Sequence, residues 1–111
     1  MANSPKHRIL VVDDEQMIRD TMAMLLSAAE YEVCTAVDGF DALSRLKTIM
    51  PDVIISDLRM PNMSGFEFLY IVRRRFPDIP VIVSSGAFAS GDFVPGGMIA
   101  DAFYAKGGLT G

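Results

Sequence analysis

The sequence has one cysteine, Cys34, one histidine, His7, and no excess of positive charge. A single cysteine excludes an internal disulfide and fits a reducing compartment. Ten Lys and Arg against fourteen Asp and Glu leave a net charge of −4, which argues against non-specific binding to nucleic acid or anionic membranes. No apolar run approaches the roughly 20 residues that a bilayer requires. The first eight residues are polar, and the run Ile9–Val12 that follows stops at two aspartates, which does not suit a secretory signal. A cytoplasmic protein with no membrane segment is expected. Neither a Walker A lysine loop nor a Gly-x-Gly-x-x-Gly turn is present, so the common nucleotide-binding loops are set aside.

What is present is a globular composition. With 111 residues, 50% hydrophobic and 22% charged, the chain suits one domain with a modest core. Ile9–Val12, Val33–Val37, Val53–Ser56 and Val81–Ser84 are short and β-branched, with Phe103–Ala105 a weaker fifth. Runs that are apolar on both faces suit strands of a buried parallel sheet. Between them lie helical stripes: Ile18, Met22, Leu25, Leu26 and Ala29; then Ala42, Leu43, Leu46 and Ile49, closed by Pro51; then Phe68, Leu69, Val72 and Phe76, closed by Pro77. Strand and helix alternate, so helices should cover both faces of the sheet. The glycine-rich stretch after Gly86 allows only a short fourth helix, over Asp92–Val94 or Met98–Ala102. Gly107–Gly111 reads as loop. The eight methionines read as core filling, Cys34 as a small buried hydrophobe, and Arg73, Arg74 and Arg75 as the outer face of the third helix.

In a doubly wound sheet, ligands gather outside the carboxyl ends of the strands. The residues at those ends are Asp13 and Asp14, Asp57, Ser84 and Ser85, with Lys106 after the fifth strand. Three clustered carboxylates need a cation or a proton, because like charges about 4 Å apart repel by roughly 4 kcal/mol near a protein surface. All-oxygen ligation suits Mg²⁺ better than zinc or copper. A hard cation beside a carboxylate is also the apparatus of phosphoryl transfer to an aspartate.

These residues resemble the receiver domain of two-component response regulators. The likeness runs from Ile9 to Lys106 through Ile9–Glu15, Pro51–Pro61, Met63-Ser64-Gly65, Ile79–Gly86 and Lys106. It implies an α/β, flavodoxin-like, doubly wound five-stranded parallel sheet of order 2-1-3-4-5, here with the last helix missing or truncated. Residues 1–8 would be a tail and 9–111 the receiver. It further implies that Asp57 accepts phosphoryl from a sensor histidine kinase or a phosphotransfer protein. Asp13, Asp14, Asp57 and the backbone carbonyl of Arg59 would hold Mg²⁺. Ser85 and Lys106 would grip the phosphoryl oxygens, and Ser85 and Phe103 would form the switch, with Gly86 leaving room beside the site. A homodimer or an output partner would use the surface that receivers build from their fourth helix, fifth strand and fifth helix. Receivers carry a cis proline after the lysine. Gly107 stands there instead and predicts a trans bond.

The alternative is a non-switching pseudo-receiver that keeps the fold and binds partners without phosphorylation. Enzymes on similar folds are disfavoured. A flavin phosphate would be repelled by Asp13-Asp14-Glu15, and a dehalogenase-like phosphatase needs an Asp-x-Asp on the first strand. The chain is expected to catalyse its own phosphorylation and dephosphorylation at most.

Overall fold

A computed structural model describes residues 6–84 and the backbone of 102–104. Five strands, β1 (Arg8–Val12), β2 (Glu32–Ala36), β3 (Val53–Ser56), β4 (Val81–Ser84) and β5 (Ala102–Tyr104), form one parallel sheet. Their order is β2-β1-β3-β4-β5, as the sequence led us to expect. Three helices connect them among the described residues: α1 (Gln16–Ala28), α2 (Gly39–Arg45) and α3 (Gly65–Arg75). The expectations for a short fourth helix, for loop at 107–111 and for a last helix missing or truncated lie outside the described residues.

Alternation along β1 sorts its side chains to the two faces. Leu10 and Val12 point to a core shared with Ile54, Val81, Val83, Ala42 and Leu46 of the α2 segment, and Phe68, Leu69 and Val72 of α3. Ile9 and Val11 point the other way, to Met22, with Ile18 and Leu26 of α1 and Val33 and Ile55 packed around them. The larger core therefore lies under α2 and α3. Phe68 is fully buried there, and truncating it to alanine should cost about 3–5 kcal/mol.

The helix ends follow from short-range chemistry. Ser64 and Glu67 form a capping box at the start of α3, and Asp38 caps α2 by accepting from the Asp41 N–H at 2.8 Å. Pro77 ends α3 as expected. The second stripe is a shorter helix than its apolar spacing suggests. It stops at Arg45, and bonds from the Lys47 N–H to the Ser44 carbonyl and from the Thr48 N–H to the Arg45 carbonyl tighten the chain into turns. Leu46 and Ile49 still reach the core from those turns.

Several side chains depart from the periodic reading. Leu25 is about half exposed and Ala29 is exposed, because Met22 and Leu26 already fill the α1 contact with the sheet. Of the methionines, Met22 and Met63 are buried, but Met17, Met24 and Met50 are mostly in solvent. Methionine tolerates water too well for its presence alone to mark a core. Cys34, on the edge strand β2, is half-buried and packs at the margin of the larger core. No helix among the described residues is long and apolar enough to cross a membrane.

Candidate functional site

The register fixes where the site forms. Val12 lies opposite Ala36 and Ser56, and Ser56 lies opposite Val83, so the strands end level with one another. The residues that follow emerge along one edge. Asp13 still belongs to the ladder, with its N–H donating to the Ala36 carbonyl at 3.1 Å. The Asp57 N–H donates to the Val12 carbonyl at 2.9 Å. Two acids are thus tied by backbone hydrogen bonds to the sheet where their strands end.

One carboxylate oxygen from each of Asp13, Asp14 and Asp57 lies within 4.8 Å of the others. Asp13 and Asp57 are buried, at 2% and 4% exposure, while Asp14 is open to solvent. Backbone donors orient the buried pair: Glu15 N–H to Asp13 Oδ1 at 3.0 Å, and Leu58 N–H to Asp57 Oδ1 at 2.8 Å. Arg19 of α1 donates to the Asp13 carbonyl at 2.7 Å and ties the β1–α1 turn to its helix. Behind the cluster, the buried Ser56 hydroxyl donates to the Asp57 carbonyl at 3.0 Å. A Cβ at Gly65 would fall 2.5 Å from the same carbonyl and 2.4 Å from Leu58 Cα, so only glycine lets α3 start this close to the acid.

The donor set is all carboxylate oxygen, with no nitrogen or sulfur ligand among its members. That chemistry fits a hard divalent cation that keeps some of its water. Convergent like charge also makes the pocket responsive to whatever positive charge enters it.

Three of the residues singled out from the sequence, Asp13, Asp14 and Asp57, are brought together. Arg59 is exposed, in the loop two positions beyond Asp57. Phe103 falls in β5 opposite Val83, but the switch assigned to its side chain lies outside what is described. Ser85, Gly86, Lys106 and Gly107 also lie outside the described residues. His7 is exposed, 3.6 Å from Asp52, at the opposite end of the sheet. Near it, a groove of about 400 Å³ runs between Ile9, Leu26, Ile55 and Ile82, sharing no residue with the acid cluster.

The sequence reading overlooked Arg19, Ser56, Asp38 and Asn62. Asp38 could have been found: an aspartate followed by glycine, with an acid three positions on, is a helix-start signature. Asn62, at φ 73°, carried no comparable signal.

Comparison with known proteins agrees with this fold. The family model described as "Response regulator receiver domain" matches residues 9–104. A protein-glutamate methylesterase/protein-glutamine glutaminase of Anaeromyxobacter dehalogenans is 40% identical over 87 residues, which is 78% of this chain and 25% of that protein. Protein PilG of Pseudomonas aeruginosa is 35% identical over 80 residues, 70% of this chain and 59% of PilG. The chain therefore spans only part of the length of these relatives. Among solved structures, the response regulator TrrA of Thermotoga maritima, in complex with Mg(2+)-BeF, superposes with a TM-score of 0.79 at 33% identity, covering 90% of this chain and 86% of that one. Chemotaxis response regulator CheY4 of Vibrio cholerae gives 0.81 at 33% identity, covering 92% and 88%. A family match across nearly the whole described sheet, with three acids gathered at its carboxyl edge, places this chain in the response regulator receiver domain family.

Proposed function

We propose that the chain accepts a phosphoryl group on Asp57 from a sensor histidine kinase or a phosphotransfer protein, and that the acquired charge switches its conformation. Receiver domains of two-component systems are not enzymes in the usual sense, so the reaction ends on the protein itself. The observation that carries the reading is the convergence of Asp13, Asp14 and Asp57 within 4.8 Å at the ends of β1 and β3. The relative TrrA, solved in complex with Mg(2+)-BeF, supports it.

In the step itself, a carboxylate oxygen of Asp57 attacks phosphorus and forms an O–P bond. The P–N bond to the donor imidazole breaks, its electron pair stays on nitrogen, and the imidazole takes up a proton. Leu58 N–H holds the other end of the Asp57 carboxylate at 2.8 Å, so the attacking group is oriented before the donor arrives. Asp13 and Asp14, with Asp57 and the backbone carbonyl of Arg59, would hold Mg²⁺, which supplies neutralising charge for the phosphoryl oxygens. Ser85 and Lys106, assigned by resemblance, would grip the product, and Phe103 would follow Ser85 inward.

Incubation with acetyl phosphate and Mg²⁺ tests the reading by intact mass. One added phosphoryl group, absent in Asp57→Asn, is expected. Failure of the unaltered chain to take up phosphoryl would overturn it. Partner binding that a phosphodonor leaves unchanged would instead indicate a non-switching interaction module.

A further inference from the structure

Between the end of β3 and the start of α3 the chain forms the loop that carries both Asp57 and Arg59. Its outgoing limb is fixed to the sheet through the Asp57 N–H and the Val12 carbonyl. Its return limb leans on the start of α2 through two adjacent contacts. The Asn62 side-chain amide donates to Asp38 Oδ2 at 3.0 Å. The next residue, Met63, is buried against Gly39, where a Cβ would meet its Sδ at 2.7 Å. Asn62 reaches Asp38 from a left-handed backbone conformation, φ 73°, which asparagine enters more readily than most residues.

Asp38 divides its carboxylate between two tasks. Oδ1 accepts from the Asp41 N–H at 2.8 Å and caps α2, while Oδ2 holds the loop. The two limbs are also cross-tied. The Gly65 N–H donates to the Leu58 carbonyl at 2.9 Å, and Gly65 packs too closely on the Asp57 carbonyl to admit a side chain. Movement of the return limb is therefore passed to the backbone beside Asp57 instead of being absorbed.

We infer that Asp38 and Asn62 are a positioning pair, which holds the loop so that the Asp57 carboxylate and the Arg59 carbonyl stay aligned with Asp13 and Asp14. The inference rests on the phosphoacceptor reading. Neither residue touches the cluster's carboxylates in the role assigned here. The pair raises the fraction of molecules whose loop is ready to bind a divalent cation and to react, and that fraction multiplies the apparent affinity.

The test uses three variants of the full chain, with Mg²⁺ affinity measured by calorimetry and phosphorylation rate measured with acetyl phosphate. Asn62→Asp sets two carboxylates against each other where the amide bonded. Asn62→Gly keeps the left-handed conformation accessible and removes only the amide. The exchange Asp38→Asn with Asn62→Asp restores a hydrogen bond of reversed direction, with the Asn oxygen still free to cap α2. Each single variant should lower Mg²⁺ affinity and rate by about twofold to threefold, the scale of one hydrogen bond that solvent weakens. The exchange should recover most of that loss, which a merely structural role for either residue would not produce. Thermal melts confirm that the variants are folded, and Asn62→Gly serves if Asn62→Asp is not. Single variants that match the unaltered protein, or an exchange as impaired as Asn62→Asp, overturn the inference. If the unaltered chain takes no phosphoryl, the phosphoacceptor reading fails, while the Mg²⁺ affinities still decide the positioning role.

Discussion

At the amino end of the sheet, acids face hydrogen-bond donors and basic side chains of the chain itself. Glu32 meets the Arg8 guanidinium at 2.9 Å, and Asp52 lies 3.6 Å from the His7 imidazole while accepting from the Arg8 N–H at 2.7 Å. At the carboxyl end of the same strands, Asp13, Asp14 and Asp57 turn their oxygens toward one another. The amino-end pairs are exposed and salt-screened, and each contributes little beyond fixing where β1 begins. The carboxyl-end cluster gathers like charge, which favours any positive charge that approaches it. One edge sets acid beside base on open surface, and the other draws acids together in a pocket at the strand ends. The proposed function needs the second kind of edge, because phosphorylation of Asp57 would change the charge at that place.

The comparison breaks most visibly at Asp57. Asp57→Asn should abolish phosphoryl uptake from acetyl phosphate by intact mass, with the fold retained by circular dichroism. Persistent uptake in that variant would mean that another acid is the acceptor. Next in size is the cation itself. Mg²⁺ at about 100 times its Kd should stabilise the unaltered chain by roughly 2.7 kcal/mol, read in a thermal melt, and chelation should remove the gain.

Asp13→Asn sharpens the contrast, since it removes one charge and keeps an oxygen for the Glu15 N–H. Without divalent ions it should stabilise the protein by between about 1 and 4 kcal/mol, the water and protein-surface limits for like charges roughly 4 Å apart. With Mg²⁺ most of the metal-dependent gain should vanish. A variant less stable without metal and unchanged in its Mg²⁺ response would show that Asp13 is held by its neighbours rather than by a cation.

The fold and the acid cluster were legible because each rests on a pattern that survives in one dimension. Ile9–Val12, Val53–Ser56 and Val81–Ser84 are apolar on both faces, so they announce a covered parallel sheet, and level strand ends then bring Asp13 and Asp57 together. Local competition was harder to read. Leu46 and Ile49 keep helical spacing, yet the chain leaves the helix at Arg45 for tight turns that reach the same core. Leu25 fits the α1 stripe, but a single helix covers only so much of one sheet face, and Met22 and Leu26 had already filled it. Asn62 was invisible because its value lies in a backbone angle and a partner 24 residues away.

The amino edge should respond weakly to the same kind of change. Glu32→Gln removes the charge facing Arg8, whose side chains are 37% and 49% exposed, and should cost between about 0 and 1 kcal/mol, less at high salt. A loss as large as the effect of Asp13→Asn would erase the distinction between the two edges.

Asp38 stands between these cases: a partly buried acid on the carboxyl side, held by hydrogen-bond donors of the chain. The Asp41 backbone N–H, then the Asn62 amide and, to a lesser extent, the Phe40 N–H hold its carboxyl below the usual carboxylate range, against a small opposing effect of burial. A carboxylate whose folded pKa is depressed adds stability above its unfolded value, near 3.9, and loses it as pH falls through the lower folded value. In metal-free protein, Asn62→Gly, which keeps the left-handed backbone accessible, should therefore lose roughly a few tenths of a kcal/mol of Asp38-linked stability at neutral pH, since solvent screens the partly exposed carboxylate. The gap between the two stability curves should narrow as pH falls through the lowered value at which folded Asp38 takes up its proton. A gap that stays constant from neutral to acid pH would show that Asn62 acts through its backbone conformation, with the charge on Asp38 irrelevant to the bond.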